Sequence, residues 1–267
     1  MSAGLLQQEL RSRARHLSAF FVLGDPTPRI SLDVMLAAVD AGATMLELGL
    51  PYNAPCADGP AIQAASRRAL AAGTTTDVAL ELVAILRDAR PELPLNLLVY
   101  ANLVHSRGPR EFCRDFATAG ASSLLVPDVL LEEGEELRAI CLDHGLDSVQ
   151  LVGPRTPTPR LAAIDAACTG FLYLAALQGV TGSDPDHAGE TQGAMQRLRE
   201  VCANPICLGF GLRSVDDVAR AFASGARIAV VGSELARTIG EASASGRDPR
   251  DAVAARCRAL AVALTAS

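Results

Sequence analysis

Apolar residues follow two alternating patterns along most of this chain. Short apolar runs, rich in leucine, valine and isoleucine, are each followed by a longer stretch in which apolar residues recur every three or four positions. Short continuous apolar runs bounded by turn residues are typical of buried β-strands. They predict eight strands, at Ser18–Leu23, Thr44–Leu48, Leu95–Tyr100, Ser122–Val126, Ser148–Val152, Phe171–Ala175, Ile206–Gly209 and Ile228–Val231.

The longer stretches predict amphipathic helices between these strands. Val215, Val218 and Phe222, for example, are spaced three and four residues apart and therefore share one helix face. Several helices end in a glycine just before the next strand, where glycine readily adopts the left-handed conformation that closes a helix. The predicted helices are Leu32–Ala41, Pro60–Ala71, Asp77–Ala89, Pro109–Ala119, Glu132–His144, Pro159–Ala167, Gly193–Cys202, Ser214–Ser224 and Asp248–Ala266, with a further helical run at Glu234–Arg237.

The order of these elements predicts the fold class. Eight strand-then-helix units occupy 267 residues, and no Pro- or Ser-rich linker separates them. One α/β barrel routinely fills about 250 residues, and alternating strands and helices imply a parallel sheet covered by helices. We therefore expect an α/β fold in which residues 1–267 form a single (β/α)8 TIM barrel with extra helices. A doubly wound open sheet is the structural alternative.

The composition agrees with a large aliphatic core. The chain is 49% hydrophobic and 20% charged, which argues against disorder. With 3 Tyr, 7 Phe and no Trp, the core must consist mainly of Ala, Leu, Val and Ile, as suits a parallel sheet buried on both faces. The 7 cysteines form no C-x-x-C pair, so we expect reduced and mostly buried thiols rather than disulfides or a zinc site.

Charge and hydropathy exclude two classes of partner. The formal net charge is −6 and no basic patch suited to a phosphate backbone is present, so we expect no nucleic-acid partner. No apolar run of about 20 residues is present, so we expect no membrane span. The polar segment Leu5–Arg15 does not resemble a secretory signal, and we therefore expect a cytoplasmic location.

Two carboxylates near the second predicted strand are candidates for catalysis. Glu47 stands among leucines, where burial of a carboxylate is costly unless its pKa rises or it finds a partner. Asp58 follows eleven residues later, before Gly59 and Pro60. Each has a plain alternative, because Glu47 could face water on an edge strand and Asp58 could cap a turn or a helix. Together the two could act as general acid and base on a small molecule.

Glycines cluster after the last three predicted strands. They occur in Gly179–Gly182, in Gly209–Gly211 and at Gly232, which Ser233 follows. A single glycine in such a turn is a weak signal. In a barrel, however, the loops after the seventh and eighth strands and a short helix N-terminus commonly bind phosphate through backbone N–H groups. We therefore expect a phosphate site in these loops.

Distinctive motifs extend over nearly the whole chain, from Leu23-Gly24-Asp25-Pro26 to Gly232-Ser233. The most specific motifs are Glu47-Leu48-Gly49-Leu50-Pro51, Ala57-Asp58-Gly59-Pro60-Ala61-Ile62-Gln63 and Tyr100-Ala101-Asn102. Further motifs are Pro127-Asp128, Glu132-Glu133, Tyr173-Leu174, Gly179-Val180-Thr181-Gly182 and Gly209-Phe210-Gly211. In this order they resemble the tryptophan synthase α subunit, the indole-3-glycerol-phosphate lyase family.

The resemblance implies a retro-aldol cleavage of indole-3-glycerol phosphate to indole and glyceraldehyde 3-phosphate. Glu47 matches the family's catalytic glutamate, which would protonate the indole ring at C3 and then take a proton from the glycerol hydroxyl. Asp58 matches its second carboxylate, which would accept the indole N–H and stabilise the positive charge that develops on the ring.

The same resemblance implies a substrate pocket around these carboxylates. Tyr173 matches a tyrosine near the glycerol chain. The candidate walls around the indole ring are Leu98, Leu125 and Phe210. The candidate phosphate ligands are Gly182, Gly211, Gly232 and Ser233. No metal and no organic cofactor is implied, and the expected partners are the small-molecule substrate and a tryptophan synthase β subunit.

The chain departs from the family pattern in two loops. Asn53-Ala54 stands where the family usually has Ser-Asp, so an acidic residue is missing. In the family that acidic group lies on the surface that communicates with the β subunit, so Ala54 weakens the expected coupling. The loop after the sixth strand also differs, at Ala176–Gln178 and Ser183–His187, and the first strand lacks a proline often found there.

Three functional interpretations remain open at this point. The chain could be an α subunit coupled to a β subunit, a free-standing lyase of the same chemistry in a secondary pathway, or a non-catalytic phosphate-binding barrel that activates a β partner. Retention of Glu47 and Asp58 argues against the third, because an inactive module has little reason to keep a costly carboxylate in an apolar strand.

Overall fold

The computed structural model describes residues 4–54, 58–175, 185–209 and 211–265. All of its strands belong to one parallel sheet. The strands are β1 (His16–Val22), β2 (Met45–Gly49), β3 (Leu95–Leu98), β4 (Ser123–Leu125), β5 (Asp147–Ser148), β6 (Gln150–Val152), β7 (Leu172–Leu174), β8 (Ile206–Leu208) and β9 (Ile228–Val231).

Helices precede, separate and follow the strands. They are α1 (Leu5–Ser12), α2 (Pro28–Asp40), α3 (Pro60–Ala71), α4 (Thr76–Ala89), α5 (Ala101–Arg107), α6 (Pro109–Thr118), α7 (Glu135–Asp143), α8 (Thr158–Ala167), α9 (Pro185–Val201), α10 (Val215–Ala223), α11 (Ser233–Ala244) and α12 (Pro249–Ala261). A 3₁₀ turn, Val262–Leu264, follows α12.

The sheet closes on itself through a strand that is split in two. The strand order is β5-β4-β3-β2-β1-β9-β8-β7-β6, so β5 and β6 lie at its two ends. Only Val149 separates these two strands in the chain. Its N–H donates to the carbonyl of Leu124 at 3.0 Å, and the N–H of Gln150 donates to the carbonyl of Phe171 at 3.3 Å. The fifth predicted strand therefore pairs with β4 through its first half and with β7 through its second half.

This closure confirms the predicted (β/α)8 TIM barrel with extra helices, and the doubly wound open sheet is wrong. Nine strands occupy eight positions around the barrel, because β5 and β6 share one position. An open α/β sheet would instead leave two edge strands unpaired.

Short helices were the elements that the sequence pattern missed. Helix α1 has 8 residues and buries only Leu6 and Leu10, and α5 has 7 residues and buries Val104. One or two apolar positions are too few to produce a recognisable helical period. Helix α9 begins at Pro185, earlier than the predicted Gly193, since the added first turns carry few apolar residues.

Two apolar clusters make up the core. The larger lies between the sheet and its surrounding helices, and the smaller lies inside the barrel. Leu6 and Leu10 belong to the inner cluster. Arg227, which precedes β9, donates to the carbonyls of Leu10, Arg13 and Ala14. Helix α1 therefore covers the amino-terminal end of the barrel and leaves the carboxyl ends of the strands for the site.

No helix in the described parts of the chain is by itself long and apolar enough to cross a membrane. Helices α3 and α4 reach that length and composition only as a pair, and the pair is bent by 102° at the break between the two helices.

An ion pair between Arg68 and a buried carboxylate, Asp25, holds α3 against the barrel. Asp25, in the turn between β1 and α2, is 2% exposed. Two guanidinium nitrogens of Arg68, in α3, donate to the Asp25 carboxylate. Nε lies 2.7 Å from Oδ1, and Nη2 lies 2.8 Å from Oδ2. Arg68 also donates to the carbonyl of Ala236 in α11 at 3.3 Å. The pair therefore ties α3 to β1 and to α11 at once.

Replacement of Arg68 by alanine is expected to cost about 3–5 kcal/mol of unfolding free energy at pH 7, because it leaves the buried Asp25 carboxylate without its cation. Urea unfolding followed by circular dichroism measures this loss. Adding Asp25→Asn to the Arg68→Ala variant is expected to restore part of it, because a neutral amide is less costly to bury.

The matched control is Arg90→Ala. Arg90 pairs with Asp40 in a bridge whose side chains are 35% and 65% exposed, and such surface pairs contribute about 0–1 kcal/mol. Equal losses in the Arg68 and Arg90 variants would contradict a special role for the buried pair.

Candidate active site

The carboxyl group of Glu47 lies inside the barrel. Glu47 occupies the middle of β2, in register with Phe20 of β1 and Asn96 of β3. Its side chain is 2% exposed. The alternative that Glu47 faces water on an edge strand is therefore wrong, because β2 is paired on both sides.

The environment of Glu47 favours its protonated form. Burial raises its pKa to about 8, a hydrogen bond from Tyr173 opposes this rise, and the negative charge of Asp58 adds to it. The dominant cause is desolvation, since a charged carboxylate loses its hydration inside the protein. A pKa near neutrality is suited to a group that must both give and take a proton.

Tyr173 of β7 reaches Glu47 from another strand of the barrel. Its hydroxyl lies 3.4 Å from Oε2 of Glu47 and 3.4 Å from the carbonyl oxygen of Gly209, and it can donate to either. Burial and the negative charge of Glu47 raise the pKa of Tyr173, so the phenol stays protonated and available as a donor. The structure thus brings together two residues that are far apart in the sequence.

Gly209 explains why glycine follows β8. A Cβ atom at this position would lie 1.9 Å from the hydroxyl oxygen of Tyr173, so any other residue would displace the tyrosine. The sequence pattern grouped Gly209 with the phosphate loops, but the structure places it against the hydroxyl of Tyr173, beside Glu47.

Asp58 lies between β2 and α3. The N-cap residue of α3 is Gly59, with no side-chain capping bond, so the alternative that Asp58 caps the helix is wrong. Partial burial raises the pKa of Asp58, and a hydrogen bond from the Tyr100 hydroxyl opposes that rise. The Gln63 side chain donates to the Asp58 carbonyl at 2.9 Å and fixes the turn. The negative charge of Asp58 adds to the rise in the pKa of Glu47, so the two carboxyls lie within electrostatic reach of each other.

Tyr100 is a site residue that sequence reasoning did not select. It follows β3, is 4% exposed, and its ring centroid lies 5.3 Å from that of Tyr52. The signal was present in the motif that begins at Tyr100. Only the structure shows that this motif meets Asp58, because the contact joins the loops after two different strands.

The predicted apolar walls lie on neighbouring strands. Leu98 of β3 is in register with Leu125 of β4. Leu125 is 3% exposed, whereas Leu98 is half-buried. Leu125 belongs to the inner cluster that contains Tyr173, and Leu98 packs against that cluster. Phe210, the third predicted wall residue, lies outside the described residues.

The predicted phosphate ligands follow β8 and β9, which pair with each other. Gly211 has φ +78°, a conformation that favours glycine. Gly232 is the N-cap of the 12-residue helix α11, without a side-chain cap, and Ser233 is the first residue of that helix. The first N–H groups of a helix have no partner within it. Gly182 lies outside the described residues.

Metal-binding side chains do not converge in the part of the chain that the structure describes. No group of three or more His, Cys, Asp or Glu residues there is arranged to hold an ion. The expectation that the chain needs no cofactor remains a prediction.

Comparisons with known proteins agree in the family that they indicate. The family model described as tryptophan synthase alpha chain matches residues 6–265. A tryptophan synthase alpha chain from Synechococcus is 42% identical over 243 residues, covering 91% of this chain and 90% of the relative. One from Vibrio cholerae is 39% identical over 220 residues, covering 82% of each.

Solved structures agree as well. Tryptophan synthase subunit alpha from Legionella pneumophila superposes with a TM-score of 0.90 at 29% identity, covering 98% of this chain and 99% of that one. The α chain in a tryptophan synthase a2b2 complex from Pyrococcus furiosus superposes with a TM-score of 0.85 at 32% identity, covering 92% and 97%. This chain belongs to the tryptophan synthase alpha chain family, the lyases that cleave indole-3-glycerol phosphate.

Proposed function

We propose that Glu47 and Asp58 together cleave indole-3-glycerol phosphate to indole and glyceraldehyde 3-phosphate. The observation that carries this assignment is the buried carboxyl of Glu47, whose pKa is raised to about 8 beside a second carboxyl, Asp58. The barrel mouth thereby offers one group that is protonated at neutral pH and a second that can stabilise positive charge.

Glu47 would carry the proton in both directions. Its protonated form donates to C3 of the indole ring, which becomes an indolenine cation. The resulting carboxylate then takes the proton of the glycerol hydroxyl on the adjacent carbon. As that oxygen forms the aldehyde, the carbon–carbon bond breaks and its electrons return to the ring. Indole and glyceraldehyde 3-phosphate leave, and Glu47 is protonated again.

Asp58 would stabilise the ring while it is positively charged. In its ionised form it accepts the indole N–H, and its negative charge lies near the charge that develops in the cation. Burial raises the pKa of Asp58, and the hydrogen bond from Tyr100 opposes that rise and so favours the ionised form. Tyr100 therefore acts as a positioning residue for Asp58.

The remaining pocket would bind the two ends of the substrate. Leu98 and Leu125 provide apolar surface for the indole ring, and Tyr173 lies beside the glycerol chain. The phosphate would bind to backbone N–H groups near Gly211 and Gly232 and to the hydroxyl of Ser233. The N-terminus of α11 adds a favourable dipole for an anion.

A tryptophan synthase β subunit is the proposed protein partner. The Pyrococcus furiosus relative is described in an a2b2 complex. Ala54 lies on an exposed part of the loop after β2, where the family pattern has an acidic residue. We propose that the chain binds a β subunit but couples to it weakly at this position.

The Glu47→Gln variant is expected to retain substrate affinity and to lose indole production by at least about 10²-fold, because glutamine cannot transfer the proton. Indole release from the purified chain measures activity. Calorimetry with an analogue that lacks the glycerol hydroxyls measures binding. Substantial turnover by the variant would contradict the role of Glu47, and absence of turnover by the wild-type chain, with and without a β subunit, would contradict the proposed function.

The pH profile is expected to show an alkaline limb near the pKa of Glu47. Because protonated Glu47 is required, kcat/KM should fall tenfold per pH unit above about pH 8. A separate acid limb is expected where Asp58, which must be ionised, becomes protonated. Tyr173→Phe removes a hydrogen bond that stabilises the carboxylate, so the pKa of Glu47 rises and the limb moves to higher pH.

Tyr52→Phe is the control for this shift. Tyr52 packs against Tyr100 rather than Glu47. The alkaline limb of the Tyr52→Phe variant should therefore coincide with that of the wild type. A limb that stays in place in Tyr173→Phe, or that moves equally in both variants, would count against the assignment.

Coupling to a β subunit is expected to strengthen when the missing acidic group is restored. Coupling free energies between sites are typically 1–3 kcal/mol, or roughly 5–150-fold in affinity. Ala54→Asp should therefore raise the stimulation of the lyase by a β subunit several-fold. Asn53→Asp adds the same charge one exposed position away and should not. Equal effects of both substitutions would show that only net charge matters.

A further inference from the structure

One arginine of α12 joins two loops that carry proposed phosphate ligands. Gly211 lies in the loop after β8, and Gly232 lies between β9 and α11. Arg256 of α12 contacts both segments through a single guanidinium nitrogen, Nη2. This nitrogen lies 2.7 Å from Oε1 of Glu234, the second residue of α11, and 2.5 Å from the carbonyl oxygen of Arg213. Each contact is therefore made two residues away from a glycine of the proposed phosphate site.

Glu234 anchors this link inside the protein. Its side chain is only 6% exposed, whereas that of Arg256 is 35% exposed. Both carboxylate oxygens of Glu234 also accept from Nη2 of Arg237, one turn further along α11, at 2.8 Å each. Because attraction between opposite charges is stronger where water is largely excluded, the Glu234 carboxylate holds the Arg256 guanidinium firmly beside α11.

The loop after β8 is held at Arg213 from two directions. The N–H of Arg213 donates to Oδ2 of Asp217 in α10 at 3.0 Å, and its carbonyl accepts from Arg256. Leu212, the residue before it, is buried in the larger apolar cluster. Gly211, with φ +78°, comes immediately before these anchored residues. The backbone direction at Gly211 is therefore set in part by the link to α12.

By its charge alone, Glu234 is an unfavourable neighbour for a phosphate. It lies in the first turn of α11, next to Ser233, where its negative charge opposes that of a bound anion. Arg237 and Arg256 offset this charge, but a neutral residue at position 234 would avoid the repulsion altogether. What the Glu234 carboxylate adds is a fixed acceptor, which keeps Arg256 between α11 and the carbonyl of Arg213.

We propose that Arg256 and Glu234 hold the loops after β8 and β9 at the separation that the substrate phosphate requires. Both are positioning residues, because they act through the backbone near Gly211 and Gly232 rather than by touching the substrate. Two loops that are already in place bind an anion more tightly, since ordering them on binding costs free energy. This inference rests on the proposed function and deepens its phosphate site.

The test uses glycerol 3-phosphate, the phosphate-bearing fragment of the substrate without its ring. Calorimetry measures its dissociation constant, and steady-state kinetics with indole-3-glycerol phosphate give KM and kcat. Arg256→Met keeps the apolar stem of the side chain and removes the guanidinium. It should weaken binding of glycerol 3-phosphate by at least about 10-fold, because small displacements of positioning groups are costly. KM should rise in the same proportion, with kcat changed by less than about 3-fold.

Arg237→Met is the matched control. Arg237 binds the same carboxylate, so its replacement removes the same charge, but its second ion pair is with Glu241 within α11. Since the Arg237 side chain is 52% exposed, its replacement should change the dissociation constant by less than about 3-fold. Equal effects of Arg256→Met and Arg237→Met would show that only charge matters, and would overturn the inference.

Glu234→Gln distinguishes position from charge by the sign of its effect. If charge dominates, removal of a negative charge beside the phosphate should strengthen binding. If position dominates, the same change should weaken binding of glycerol 3-phosphate by at least about 3-fold, because Arg256 loses the carboxylate that holds it. Unchanged or tighter binding by Glu234→Gln overturns the inference. This variant also carries the test if Arg256→Met fails to fold.

The outcomes separate this inference from the proposed function. Failure of the wild-type chain to cleave indole-3-glycerol phosphate overturns the proposed function. Cleavage by the wild-type chain, with unchanged KM and unchanged glycerol 3-phosphate affinity in Arg256→Met, overturns only the inference. A loss in Arg256→Met that falls in kcat, while KM and the dissociation constant stay the same, also overturns it.

Discussion

The carboxyl group of Glu47 is held inside the barrel, and the proposed chemistry depends on the cost of keeping it there. Its pKa rises to about 8 mainly because burial removes water. That burial requires a closed barrel, since an edge position on β2 would restore hydration. The Tyr173 hydroxyl stabilises the carboxylate without bringing a full charge, so the two protonation states remain close in free energy near neutral pH. The barrel thereby gives this carboxyl group the pKa that the proposed proton transfer needs.

The position of the second carboxyl group, that of Asp58, depends on other elements of the fold than the position of Glu47 does. Asp58 precedes α3, and α3 is held by the ion pair between Arg68 and the buried Asp25. Tyr100, which follows β3, donates to Asp58 from the neighbouring loop. The active carboxyls are therefore positioned by two separate supports, one within the sheet and one between helices.

Much of the fold and part of the site could be predicted from the sequence. The eight apolar runs predicted the barrel because period and order are local properties of a chain. Glu47 could be selected because a carboxylate among leucines is costly. The contact between Tyr100 and Asp58 and the approach of Tyr173 to Gly209 could not. Each of these contacts joins residues on separate strands or loops. The distance between such residues cannot be read from their spacing in the sequence or from the composition. Helix α1 was missed because it buries only two leucines.

Infrared difference spectroscopy of the carboxyl of Glu47 tests the central claim most directly. The wild-type spectrum minus that of Glu47→Gln isolates the C=O stretch of the protonated side chain, which can be followed from pH 5 to pH 10. The band is predicted to persist at pH 7 and to disappear with a midpoint of about 8. A band already lost at pH 7, with a midpoint near the ordinary value of 4.5, would contradict the account.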